Sequence, residues 1–312
     1  MNIDKKILIT GGNGVLGYGL KRALTQRGYV NVLAPSKKEL NALDQLSVNS
    51  YFDINKPDYV FHLASLVYGL QGNLDNQFTS LCSNTLINQN VLQACKSNNV
   101  EKIFFAGTVA SYEYPYRKLP LEESFSMSGD PHFGEYGYAM AKRHALSYLK
   151  ILKEYHGIDY CYGLFTNLFG PNDKFDIKNG HVIPSLIEKA ISNVRAGEKK
   201  LKVWGRPETT RDFLYSFDAG HAAVHAFDNY SGIINIASGI ETSIKDVVDA
   251  INLYFENNLV LEWDPKSPIG VPRRSVNIDK LLSTGYQPSL NLNKNIAETI
   301  DWYLNNLSGI RK

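Results

Sequence analysis

The chain is poor in sulfur and in charge of either sign. Among 312 residues there are three cysteines and three methionines, and 33 Lys+Arg stand against 31 Asp+Glu, a net charge of +2. Near-neutrality argues against a protein that follows polyphosphate with a broad basic face, so nucleic acid is not an expected partner. Cys82, Cys95 and Cys161 form no CxxC pair and sit in apolar patterns. They read as reduced core thiols of a cytosolic protein, with no metal site. No run of 18 uncharged apolar residues exists to span a membrane. The opening MNIDKKILITGG has no apolar stretch or small-residue cleavage site, so no signal peptide is expected. Repeats and low-complexity tracts are absent too.

What is present is alternation. Apolar runs at Lys6–Thr10, Asn31–Ala34, Asp58–Ala64, Lys102–Ala106 and Tyr160–Leu164 alternate with helical spacings such as Leu16, Leu20, Ala23, Leu24 and Ile87, Val91, Ala94, Cys95. Another helical pattern runs from about Tyr136 to Tyr155. Nearly continuous apolar strands joined by helices predict an α/β fold, a doubly wound parallel sheet of Rossmann type. After about Thr166, Gly, Pro and Asn become frequent, which predicts a smaller α+β unit for the substrate. The expected boundaries are 1–165 plus 213–236 for the first unit and 166–212 plus 237–312 for the second. The strand–helix piece Phe213–Phe227 is expected to return to the first unit, and the run Lys102–Ala106 is counted as the fifth strand.

Between the first strand and first helix lies Thr10-Gly-Gly-Asn-Gly-Val-Leu-Gly17. Gly11, Gly14 and Gly17 offer free φ, no side chain where a pyrophosphate approaches, and close helix–strand contact, with Asn13, Val15 and Leu16 between them. The helix start adds amides and a positive dipole end, so the segment predicts a dinucleotide site. At the second strand end, Leu33-Ala-Pro-Ser-Lys-Lys38 has no carboxylate at the point where a ribose 2′-hydroxyl is usually held. Ser36 with Lys37 or Lys38 would suit the 2′-phosphate of NADPH/NADP+; a solvated loop is the plain alternative.

Tyr138-Ala-Met-Ala-Lys142 stacks a phenol and an ammonium on one helical face. The ammonium is expected to draw the phenol, ordinarily near pKa ~10, toward useful acid strength. Upstream, Thr108 places a hydroxyl at a strand's C-terminal tip, where it serves either the reaction or a strand-end cap. Together these groups describe a site that reduces a carbonyl with hydride from a nicotinamide.

With these residues in place, the chain resembles the extended short-chain dehydrogenase/reductase family. The resemblance is carried by TGGNGVLG (10–17), HLAS (62–65), Asn84, Gly107-Thr108 through Ser111-Tyr112, YAMAK (138–142) and NLFGP (167–171). The closer resemblance is to its GDP-L-fucose synthase branch, the GDP-4-keto-6-deoxymannose epimerase–reductases. KKELNALD (37–44), TNLFGPNDKFD (166–176), NGHVIPSL (179–186), VWG and RDFL within 203–214, and Pro272-Arg-Arg carry it. It implies NADPH, a GDP-linked 4-keto sugar, and a homodimer built on helices near 84–97 and 136–155. It implies cofactor contacts from Gly11, Asn13, Gly14, Val15, Leu16, Gly17, Ser36, Lys37, Lys38, Asp44, Leu63, Ala64, Ser65, Tyr138, Lys142, Phe165, Asn167, Leu168 and His181.

Thr108, Asn167, Val182, Trp204, Arg211 and Arg273 are the expected substrate contacts, the two arginines as diphosphate clamps. Arg211 has the alternative of an ion pair with Asp212, and Trp204 that of half-buried scaffold. The reduction hydroxyl of the branch falls on Thr108, and its epimerisation partner acid/base on His181, which has a structural alternative. Its epimerisation cysteine falls on Ala110, which carries no proton. Asn13 and Lys37 stand where arginines are usual. The expectation is therefore an NADPH-dependent C4 reductase of a GDP-4-keto hexose or heptose without the epimerase step. The alternatives are a bifunctional epimerase–reductase and, after it, an NDP-sugar 4-epimerase.

Overall fold

The computed structural model describes residues 1–264 and 270–311; residues 265–269 and Lys312, assigned above to the second unit, lie outside the described residues. The chain begins β1 (Ile7–Thr10), α1 (Val15–Gln26), β2 (Val32–Leu33), α2 (Gln45–Asn55) and β3 (Tyr59–His62). A short α3 (Leu70–Asp75) and the long α4 (Gln77–Ser97) lead to β4 (Lys102–Thr108), and α5 (Tyr136–His156) leads to β5 (Asp159–Phe165). Then come β6 (Asn167–Phe169), α6 (Val182–Arg195), β7 (Lys200–Trp204), β8 (Thr210–Tyr215), α7 (Ser216–Asn229) and β9 (Gly232–Ile236). The chain closes with β10 (Glu241–Ser243), α8 (Ile244–Tyr254), β11 (Val260–Asp264), α9 (Asp279–Ser283) and α10 (Leu292–Asn305).

The main sheet is parallel in the order β2-β1-β3-β4-β5-β9, so the α/β doubly wound expectation holds. Buried residues pack on both of its faces, α4 and α5 side chains among those on one face and α1 and α7 side chains on the other. This double cover explains the uninterrupted apolar strands. Strand order reverses between β1 and β3, and open α/β sheets bind ligands beyond the strand ends at such a point.

Two expectations change. Lys102–Thr108 is the fourth strand in chain order, not the fifth, since only β1, β2 and β3 precede it. The piece beginning at Phe213 divides: Phe213–Tyr215 complete β8, which pairs with β6 and β10 in a small sheet. The α7 and β9 parts of that piece pack with the main sheet, as does Leu281 of α9. There α7 lies so close to α1 that a Cβ on Gly19 would stand 1.8 Å from the Ser216 carbonyl oxygen. A third buried cluster, from Phe169 to Tyr303, unites β7, β8, α6, α8 and α10 in the second unit. No helix among the described residues is long and apolar enough to cross a membrane.

Candidate active site

One cleft of about 900 Å³ runs across the C-terminal ends of β1, β3, β4 and β5 and on between the two units. At one end is the glycine turn. Gly11 adopts φ +71°, and a Cβ there would stand 2.7 Å from the Ala64 backbone nitrogen. A Cβ on Gly17 would meet the Gly12 backbone at 2.6 Å. Both positions therefore exclude a side chain for packing reasons. Gly14, the N-cap of α1, makes no side-chain capping bond, and α1 has no acid in its first turn. Its first amides thus face a cradle that a phosphate suits. The residues present fit a dinucleotide.

A buried hydrogen-bond chain ties this turn to the proton-transfer helix. Ala64 N–H donates to Thr10 Oγ1 at 3.3 Å, and Thr10 lies 2.6 Å from His62 Nδ1. His62 Nε2 lies 3.1 Å from Asn88 Oδ1, and Asn88 Nδ2 donates to the Ala141 carbonyl at 3.2 Å. Burial, with the Lys142 charge second, pushes the His62 pKa down to about 3, so the ring is neutral. A neutral ring donating from Nε2 and accepting at Nδ1 satisfies every member. Asn84 does similar work next door, since Ser65 Oγ and Leu66 N–H both donate to its Oδ1, at 2.8 and 2.7 Å.

Thr108, Tyr138 and Lys142 all line the cleft. The Thr108 hydroxyl accepts the Ala110 N–H at 3.1 Å, so it is a cap; its own proton is still available to donate into the cleft. Tyr138 differs from the electrostatic expectation. Burial dominates and raises its pKa to about 12, opposed by a hydrogen bond with Ser65. Lys142 Nζ lies over rings, 4.9 Å from the Phe105 centroid and 5.5 Å from that of Tyr138, and burial lowers its pKa to about 7. Desolvation, not mutual attraction, sets both groups: the phenol holds its proton and the amine sheds one easily.

The remaining expected residues divide. Gly11, Asn13, Gly14, Val15, Leu16, Gly17, Lys37, Leu63, Ala64, Ser65, Phe165, Asn167, Leu168, His181, Val182, Trp204 and Arg211 line the cleft. Ser36, Lys38, Asp44 and Arg273 are not among the lining residues. Ser36 N–H donates to the Glu39 carboxylate at 2.7 Å, which holds that loop as a turn. Asp44 caps α2 by accepting the Leu46 N–H at 3.0 Å. Arg273 is a surface residue paired bidentately with Glu241 at 2.6 and 2.8 Å, and its neighbour Arg274 takes the cleft position.

Arg274, 5% exposed, pairs with Glu135 at 2.6 Å and donates to the Tyr116 hydroxyl at 2.6 Å. Burial opposes the Glu135 charge, but Arg274 outweighs it and keeps that carboxyl below its ordinary range. Arg211 makes no ion pair with Asp212. Asp212 instead accepts from Ser238 and Gly239, while Arg211 donates to the Thr210 carbonyl at 2.7 Å. Burial, with the Arg274 charge second, lowers the Arg211 pKa to about 10, only partly offset by Glu135. Lys189 lies 4.1 Å from the Trp204 ring centroid beside the cleft.

His181 lines the cleft at the N-cap of α6 without a side-chain capping bond. Asp173, missed from the sequence, is buried next to it. Its Oδ1 accepts the Lys174 N–H at 2.7 Å, its Oδ2 has no hydrogen-bond partner among the described residues, and burial, countered chiefly by His181, raises its pKa to about 6. Ala110 is 4% exposed, and Val109, not Ala110, lines the cleft. None of the three cysteines lines it either: Cys95 and Cys161 are buried core, and Cys82 is on the surface of α4.

Residues 7–237 match the model of the NAD dependent epimerase/dehydratase family. The chain belongs to that family. It is 31% identical over 304 residues to GDP-L-fucose synthase 1 of Arabidopsis thaliana, covering 97% of this chain and 94% of the relative. A GDP-L-fucose synthetase from Naegleria fowleri superposes with TM-score 0.92 at 26% identity, over 100% of this chain and 97% of that one. A GDP-mannoheptose C4 reductase from Campylobacter jejuni, solved with NADP bound, superposes with TM-score 0.85 at 26% identity over 97% and 99%.

Proposed function

We propose that the protein is an NADPH-dependent reductase that acts at C4 of a GDP-linked 4-keto sugar, a 6-deoxyhexose or a heptose, without epimerising the ring. The observation that carries this reading is the cleft's arrangement. The glycine turn and Lys37, the proton-transfer candidates Thr108, Tyr138 and Lys142, and Arg211, Arg274 and Trp204 all line one cleft, and no cysteine lines it. The GDP moiety and the two sugar classes are suggested by the names of the relatives; Lys37, beside the second strand, supports the 2′-phosphate.

Bound NADPH would supply the hydride, held by the glycine turn, Lys37, Ser65 and Lys142, with the Tyr138 ring packed beside it. The protein's own part is the proton and the position. Thr108 donates a hydrogen bond to the C4 carbonyl oxygen, and Tyr138, still protonated at neutral pH, gives that oxygen its proton. The Lys142 cation stabilises the phenolate left behind. Arg211 would hold the diphosphate, where a planar fork suits paired oxygens, while Arg274, its fork taken by Glu135, would add positive charge beside it. A homodimer through α4 and α5 is part of this reading, supported by Phe78, 80% exposed, and Tyr155, 76% exposed, on those helices.

Ring epimerisation before reduction is a second reading, favoured by one observation. His181 and the unpartnered Asp173 carboxyl together give the cleft an acid–base pair that needs no thiol. Incubation with NADPH and GDP-4-keto-6-deoxymannose, or the 4-keto heptose, should bleach the nicotinamide band, and uracil- or thymine-linked ketones should do so more slowly. No consumption with any keto sugar, together with tightly bound NAD, would mean a 4-epimerase instead.

A further inference from the structure

The segment Thr10–Gly17 contains no charged side chain. The cation beside it comes from the other end of the chain. Arg311 lines the same cleft, and its Nη1 stands 4.0 Å from the position a Cβ on Gly14 would occupy. The tail is fixed there by backbone and side chain. Phe175 N–H donates to the Arg311 carbonyl at 2.8 Å, and Lys174 and Arg311 form a parallel bridge. Arg311 Nη1 donates to the Asn172 carbonyl at 3.2 Å, and Asn172 Nδ2 donates to the Asn13 carbonyl at 3.0 Å. The tail, the 172–175 loop and the glycine turn are thus linked in series.

Among the described residues no carboxylate forms an ion pair with Arg311. The buried Asp173 lies within its field but does not bond to it. A guanidinium carries five N–H donors, so most of its capacity is uncommitted. Gly14 is the N-cap of α1, where the uncapped amides of the first turn await an anion.

We propose that Arg311 is a cofactor-binding residue: from the C-terminal tail it pairs with the pyrophosphate of the dinucleotide seated on the α1 N-terminus. The inference rests on the reading of this cleft as a dinucleotide site. The cation missing from the turn is supplied across the molecule, so the segment that Arg311 bridges to Lys174 is part of the cofactor site.

The test uses the full-length protein, with binding of NADPH and of NADH followed separately by nicotinamide fluorescence. Arg311→Met keeps the stem and removes the charge. It should weaken both nucleotides by a similar factor of roughly ten, as for a charge-assisted bond at a partly exposed site. Arg311→Lys should recover part of the loss. Log Kd against log salt should be less steep for Arg311→Met than for the parent, a change that a merely structural role of the tail would not produce. Unchanged affinity and slope in Arg311→Met would overturn the assignment, and so would a loss confined to NADPH, which would move the contact to the 2′-phosphate. If the parent protein binds neither nucleotide, the dinucleotide reading itself fails, a result separate from either of these.

Discussion

Tyr138→Phe should reduce kcat for ketone reduction by about 10³-fold, within the range typical for a lost general acid, while NADPH affinity stays within about twofold. The expectation follows from where the phenol sits and from the state burial gives it. Its pKa near 12 keeps it fully protonated at neutral pH, which is the state a proton donor to a carbonyl needs. Phenylalanine preserves the ring that Lys142 overlies, so the fold and the cofactor cradle should survive. Stopped-flow hydride transfer and fluorescence binding measure the two quantities separately. Retained turnover would show that the proton comes from elsewhere, with Thr108 or His181 the next groups to remove.

Lys142→Met should cost roughly a hundredfold in kcat/KM, again on the scale of one proton-transfer partner, and should also change the pH profile. In the parent protein the buried amine loses its proton near pH 7, so free-enzyme kcat/KM should fall as pH rises through that value. The methionine variant, with no cation to lose, should show no such limb. Stability moves the other way. The folded pKa is depressed below that of the unfolded lysine, so between about 7 and ~10.4 the unfolded chain binds the extra proton and stability rises with pH. Lys142→Met should flatten that rise in a urea titration series. A pH-independent kcat/KM in the parent across pH 6–8 would contradict the role given to the cation.

The sheet was legible because its strands are covered on both faces and must be apolar along their length, as Ile7–Thr10 and Lys102–Thr108 are. The glycine turn was legible for a related reason, since Gly11 and Gly17 occupy places that a Cβ would collide with. Tyr138 and Lys142 needed only helical spacing to be placed together. The difficulties came wherever position depends on a loop. Arg273 and Arg274 are adjacent in sequence and extended chain points them oppositely, one to Glu241 at the surface and one to Glu135 in the cleft. Nothing in their immediate neighbourhood says which is which. Phe213–Tyr215 has the apolar texture of any buried strand, and only its pairing with β6 and β10 assigns it to the small sheet.

Charge state was the other thing composition could not supply. The Tyr138–Lys142 spacing suggests a lowered phenol pKa, whereas burial of both groups gives a raised phenol and a lowered amine. Asp173 has no motif to announce it; its unpartnered oxygen appears only when the 172–175 loop folds against His181. Arg311 is more extreme, brought to the first helix from the end of the chain by backbone bonds to the same loop.

The most direct measurement is product labelling. The protein is incubated with NADPH and GDP-4-keto-6-deoxymannose in D2O, and the product is read by NMR at the carbons on either side of the former carbonyl. Turnover with hydrogen retained at both positions is the expected result, because Ala110 carries no proton and no thiol lines the cleft. Deuterium at both positions would contradict it and would assign His181 and Asp173 an epimerising role.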